Sequence, residues 1–172
     1  MSETIFDYIS NFKNPIMWKH IIIHHSLTRD GLTVEWNAIR AYHKSLGWDD
    51  IGYHAGIELV GKAGAEPRYE FQIGRPLDMQ GAHTIGQNDK AIGICIVGNF
   101  DIKEPEPVQY FLTASLCRAF QSRFGILTEN INFHRDYSMK TCPGRRFDKN
   151  ILRDYIAGIT PAYPQRLTPA KT

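Results

Sequence analysis

The chain predicts a mixed α/β (α+β) fold in a single domain: a central, mostly β sheet of about five to six strands flanked by helices. Apolar β-type runs recur at IIIHHS, GYHAGIELV, YEFQIG and AIGICIVGNF, bounded by turn-forming residues. Between them, 33–46 and 108–124 carry apolar residues at helical spacing. At 172 residues, 42% hydrophobic and 22% charged, the composition suits one soluble globular domain with a full-sized core.

In order, 1–19 reads as an N-terminal extension holding a short helix, with Ile5, Tyr8, Ile9 and Phe12 spaced for one face and Pro15 breaking it. The domain proper spans 20–158. In His20–Ser26, Ile21 and Ile23 point one way and Ile22 the other, so a central strand covered on both sides is expected. His24 and His25 then face opposite ways. From Thr33 as N-cap to Gly47 as stop runs a helix with Val34, Ala38, Ile39 and Tyr42 on one face, and His43 reads as packing or surface. GYHAGIELV is a strand, GKAGAEPR its hairpin loop and YEFQIG the partner strand. His54 must face away from its neighbour Tyr53 and bond within the core.

GAHTIGQN is a polar loop that lacks the spacing of a phosphate-binding motif. AIGICIVGNF is a buried strand. Pro105 and Pro107 introduce a helix from about Val108 to Phe124, with Leu112, Leu116, Phe120 and Phe124 as its core stripe and Gly125 as its end. A short strand leads to His134, a closing helix covers Asp148–Ile156, and 159–172 is a loose Pro-rich tail.

The stretch HRDYSMKTCPGRRF places an imidazole, an ammonium group and a thiol within nine positions. A strand end folding back on its following loop could offer His134 nitrogen and Cys142 sulfur to one Zn²⁺, with Pro143 and Gly144 turning the chain away. A third ligand must come from elsewhere, and IIIHHS offers His24 and His25. Alternation lets only one of them join, and periodicity does not choose. Cys95, in an apolar run, and Cys117, on a helical stripe, read as buried core thiols, which leaves Cys142 for metal.

A net charge of +2 and a pI near 8.4 are too mild for nucleic acid as main partner. The N-terminus carries Glu3 and Asp7 and no basic region or long apolar core, so no signal peptide is expected, and no run approaches the ~20 apolar residues of a membrane span. Synthesis in a cytoplasm follows, with delivery by another agent for any action on a cell wall.

Four blocks in order, IIIHHS, IRAYHKSLGWDDIGYH, GAHTIGQNDKAIGICIVGNF and FHRDYSMKTCPGRRF, make the chain from about Ile21 to Ile156 resemble the zinc-dependent N-acetylmuramoyl-L-alanine amidases. That family includes small phage lysozymes and the peptidoglycan recognition proteins. The resemblance implies that His24 is the ligand joining His134 and Cys142. It also implies that Tyr53 is the catalytic tyrosine and Lys140 the lysine of phage-type members. The implied substrate is peptidoglycan or its muropeptides, cut at the amide between the lactyl group of N-acetylmuramic acid and L-alanine. Zinc-bound water would attack while Tyr53 and Lys140 stabilise the oxyanion. His83 and Asn88 would line the substrate groove, and His25 and Ser26 would orient the zinc site from behind.

The resemblance implies a cell-wall-degrading, antimicrobial hydrolase of endolysin type, and a monomer is expected. The hairpin loop Gly61–Arg68 departs from the family by its length, which bears on substrate fit along that rim. A peptidoglycan-binding module without catalysis is the alternative; Cys142 and Tyr53 speak against it. A Cys142–His134 thiol hydrolase is a third reading, and no activating helix start accompanies the cysteine.

Overall fold

The computed structural model describes residues 4–13, 16–28, 35–63 and 66–159; Thr33 and Val34, and the tail from 160, lie outside them. Its strands are β1 (His20–His25), β2 (Ala55–Ala63), β3 (Glu66–Ile73), β4 (Ala91–Ile96) and β5 (Ile131–Phe133). Its helices are α1 (Ile5–Asn11), α2 (Trp36–Ser45), α3 (Pro107–Phe124) and α4 (Lys149–Ala157). The five strands form one mixed sheet in the order β3-β2-β4-β1-β5. β1 runs parallel to β4 and β5, β2 runs parallel to β4, and only the β2–β3 hairpin is antiparallel.

Strand alternation sorts the apolar residues into two unequal clusters. Ile21, Ile23, Ile92, Ile94, Ile57 and Phe133 form one core with Ile5 and Ile9 of α1, Leu116 and Phe120 of α3, and Leu152 and Ile156 of α4. On the other face Cys95 and Val97 meet Trp36 and Ile39 of α2 in a much smaller group. This double covering is why β1 carries three consecutive isoleucines and why β4 is buried throughout, with isoleucines on one face and Ala91, Gly93 and Cys95 on the other. α1 starts from a capping box in which Thr4 accepts the Asp7 N–H and Asp7 accepts that of Thr4. The backbone N–H of Trp36 at the start of α2 is instead capped from the sheet, by the Glu58 carboxylate at 3.1 Å. Gly56 lies directly under the Trp36 ring, where any Cβ would overlap it.

Two expectations are corrected here. Most of the stretch read as a hairpin loop is strand: Gly61 pairs with Arg68, Lys62 with Pro67 and Ala63 with Glu66, after a register shift between Leu59 and Gly61. The length therefore comes from strand extension, and Pro67 falls on an edge strand, the place in a sheet where proline is accommodated. The buried face of α2 is Trp36, Ile39 and His43, while Ala38 and Tyr42 are exposed. Those two residues line an open cleft instead of the core.

Candidate metal centre and cleft

His24 leaves β1 on the α2 face, level with Cys95 of β4. His25 leaves on the opposite face, where its Nδ1 accepts the Phe100 N–H at 3.2 Å and its ring stacks on that of Phe100. The ambiguity between them is thus resolved by the side on which the hook closes. His24 Nδ1 lies 3.6 Å from Cys142 Sγ, and the His24 and His134 ring centroids are 4.7 Å apart. One ligand atom from each of His24, His134 and Cys142 falls within 4.8 Å of the others.

Local bonds hold the hook in this shape. After β5 the chain makes a 3-10 turn at His134–Asp136 and returns so that the Arg135 N–H donates to the Cys142 carbonyl at 2.7 Å. The Arg135 guanidinium donates to the carbonyls of Gly144 and Phe147 and lies over the Phe133 ring. From the turn after β4, the Asp101 carboxylate accepts the Thr141 hydroxyl at 2.6 Å and the Arg145 N–H at 2.9 Å. Gly144 has φ +109°, and a side chain there would overlap the Phe100 backbone.

The donor set fits zinc. Tetrahedral coordination with Zn–N of about 2.0–2.1 Å and Zn–S of about 2.3 Å sets N and S roughly 3.6 Å apart, the separation that His24 and Cys142 have. Burial, then the neighbouring His83 and His134, hold His24 well below the ordinary imidazole range; burial and the Lys140 charge lower His134. Both rings are therefore neutral at physiological pH, the form that could ligate a metal. Burial pushes the Cys142 thiol up to about 11, although the His25 backbone N–H and the Lys140 charge pull the other way. A metal bound here would have to displace that proton.

Around these donors the surface opens as two lobes. The larger, about 860 Å³, is bounded by His24, Tyr42, His43, Tyr53 and Cys142; the smaller, about 420 Å³, by Trp48, His83, Ile85, Asn88 and Tyr137. His134 and Lys140 line both. The Tyr53 ring centroid is 5.1 Å from that of His24. Burial, with the neighbouring Cys95 and Cys142 thiols, raises its pKa well above the usual phenol range.

The remaining residues singled out from sequence stand nearby with their polar groups turned inward. His83 Nε2 donates to the Ala91 carbonyl at 3.1 Å, and its Nδ1 lies 3.1 Å from His24 Nε2. Asn88 Oδ1 accepts the N–H groups of His83 and Thr84. Ser26 Oγ accepts the Gly98 N–H at 2.9 Å, pinning the turn after β4. His54 is buried as expected, accepting the Gly93 N–H and bonding the Met79 carbonyl.

Sequence reasoning did not single out Asp101, Arg135, Thr84 or the contact of Cys95 with Tyr53. The last depends on the β2–β4 pairing, which sets Gly56 beside Cys95 and so brings the start of β2 to it.

A family model described as N-acetylmuramoyl-L-alanine amidase matches residues 13–145. The chain is 33% identical to an endolysin of Klebsiella phage KP32, across 77% of this chain and 87% of that protein. It is 33% identical to peptidoglycan-recognition protein SC2 of Drosophila melanogaster, across 73% and 67%. Among solved structures, the endolysin N-acetylmuramoyl-L-alanine amidase LysCS of Clostridium intestinale URNW superposes with a TM-score of 0.71 at 27% identity, covering 83% of this chain and 85% of that one. A match of that extent, over a fold that gathers histidines and cysteine from opposite ends of the chain into one cleft, means that this protein belongs to the N-acetylmuramoyl-L-alanine amidase family, enzymes that hydrolyse an amide of peptidoglycan.

Proposed function

We propose that the chain cuts the amide joining the lactyl group of N-acetylmuramic acid to L-alanine, with zinc held by His24, His134 and Cys142. The observation that carries this reading is the convergence of those three donors where the two lobes of the cleft meet. When bound, zinc supplies a Lewis acid that polarises a carbonyl and makes water nucleophilic near neutral pH.

The protein's own groups do the rest. Tyr53, kept protonated by burial, donates a hydrogen bond to the oxyanion that develops on the scissile carbonyl, and Lys140 adds a positive charge beside it. Asp101 is the only acid lining the larger lobe among the described residues, and its carboxylate already accepts from Thr141 and Arg145. Proton delivery to the leaving amine therefore falls to the Tyr53 hydroxyl and to water. Two lobes meeting at Lys140 suit a substrate that extends both ways from the scissile bond, glycan on one side and peptide on the other.

A cysteine nucleophile is disfavoured by the same geometry. A thiol pushed up to about 11 is protonated near neutrality, and burial keeps the neighbouring His24 ring neutral, so no imidazolium stands beside the sulfur to hold a thiolate. Among the described residues no helix is long and apolar enough to cross a membrane, and we place the site of action at the cell wall.

Mass spectrometry of products from purified muropeptide tests the reading. Zinc-loaded protein should release the stem peptide with a free L-alanine amino terminus. Chelator should stop this and added zinc restore it; turnover unaffected by thorough chelation, or cleavage at another bond, would refute it.

A further inference from the structure

We propose that His83 is a positioning residue for the metal centre: it fixes the His24 ring with Nε2 protonated, so that the Nδ1 lone pair faces Cys142. This rests on the zinc reading above. A backbone carbonyl can only accept, so the Ala91 oxygen, 3.1 Å from His83 Nε2, requires the proton of that ring to sit on Nε2. With the single proton of the neutral ring on Nε2, Nδ1 is left as an acceptor. The atom facing it at 3.1 Å is His24 Nε2. Two lone pairs do not face each other at that distance, so His24 carries its proton there and presents a bare Nδ1 towards the sulfur 3.6 Å away.

Thr84 reinforces the same state. Its hydroxyl lies 3.0 Å from His83 Nδ1 and 3.3 Å from His24 Nε2, so it donates to the first and accepts from the second. The His83 ring cannot turn away. It is packed between two glycines: a side chain at Gly81 would overlap it, and one at Gly93 would come within 2.5 Å of its Cδ2. Asn88 fixes the backbone on which it stands by accepting the His83 and Thr84 N–H groups. A fixed carbonyl on β4 thus dictates, through two rings, which nitrogen of His24 is available to a cation.

The test begins with metal-free, ¹⁵N-histidine-labelled protein and long-range ¹H–¹⁵N correlation. His24 and His83 should both show a protonated Nε2 and an unprotonated Nδ1, whereas a proton on His24 Nδ1 would overturn the proposal. His83→Phe fills the slot without nitrogens and should weaken zinc about tenfold; adding Thr84→Val should bring the loss to about a hundredfold, the range for removing a partner of a ligand histidine. His83→Gln, whose amide can donate to Ala91 and accept from His24, should return zinc affinity to near the wild-type value. Unchanged affinity in a folded His83→Phe/Thr84→Val protein would overturn the proposal and leave the zinc reading intact. Wild-type protein that fails to bind zinc would sink that reading instead. Should the variants fail to fold, the tautomer measurement on the wild-type protein still decides.

Discussion

On one side of the sheet three helices, α1, α3 and α4, close over Ile21, Ile23, Ile92, Ile94 and Phe133; on the other α2 alone covers Cys95 and Val97. The space left beside α2 is the larger lobe of the cleft. Two adjacent histidines show the contrast in miniature. His25, on the three-helix side, has its Nδ1 occupied by the Phe100 N–H, and His24, on the α2 side, holds its Nδ1 towards a sulfur. One face of the sheet supplies most of the apolar burial that stabilises the fold. The other can therefore carry polar and titratable groups that contribute little to stability, and the two faces should respond differently to substitution.

The largest effect is expected from removing a donor on the α2 side. His134→Ala or Cys142→Ser should lose zinc, measured by elemental analysis, and fall to the turnover of chelator-treated protein, with thermal unfolding of the metal-free form close to wild type. Full zinc content in either variant would break the assignment. Phe120→Ala on the opposite face should do the reverse. Deleting this fully buried ring should cost about 3–5 kcal/mol in denaturant titration, with normal zinc stoichiometry in the folded fraction.

Tyr53→Phe is next in size. Losing one oxyanion donor should lower kcat by about a hundredfold with zinc content unchanged; an equal loss of zinc would mean that the phenol is structural.

The smallest effect concerns pH. His54 accepts the Gly93 N–H through Nδ1, and burial lowers its pKa to about 4 from 6.5. The folded state then binds fewer protons than the unfolded chain between those values, so stability is fully present above 6.5 and is lost as pH falls towards 4. From pH 7.5 to 5.5 this single group should remove about 1.4 kcal/mol, measured by denaturant titration of the metal-free protein. His54→Gln, which can keep both bonds without titrating, should take that share out of the profile and leave the slope due to His24, His25 and His83. An unchanged slope would place the acid sensitivity elsewhere.

Much of this architecture was legible in the sequence because its signals are local. The isoleucine runs of β1 and β4 announce strands covered on both sides, and the hook carries its imidazole and thiol eight positions apart. What was not legible depends on register and on closure. His24 and His25 are equivalent until the side on which the hook folds is known, and the family resemblance, not periodicity, separated them. Cys95 reads as a core thiol because isoleucines flank it; its nearness to Tyr53 follows from the β2–β4 pairing across the sheet. His83 and Asn88 do border the smaller lobe, yet the bonds occupying their polar atoms come from Thr84, Ala91 and His24. GKAGAEPR has the composition of a loop, and only the β2–β3 pairing shows that the ladder runs through it. The α2 stripe misled for a related reason: a cleft presents apolar residues at helical spacing just as a core does.

The sheet borders bear on how molecules behave beside one another. β3, on one border, carries Pro67, which cannot donate, and an exposed Arg68–Glu70 ion pair; β5, on the other, is only three residues long. Neither offers the long, flat row of free amides on which a second copy could add a strand. Crowded copies of this enzyme should accordingly resist stacking edge to edge into β-aggregates.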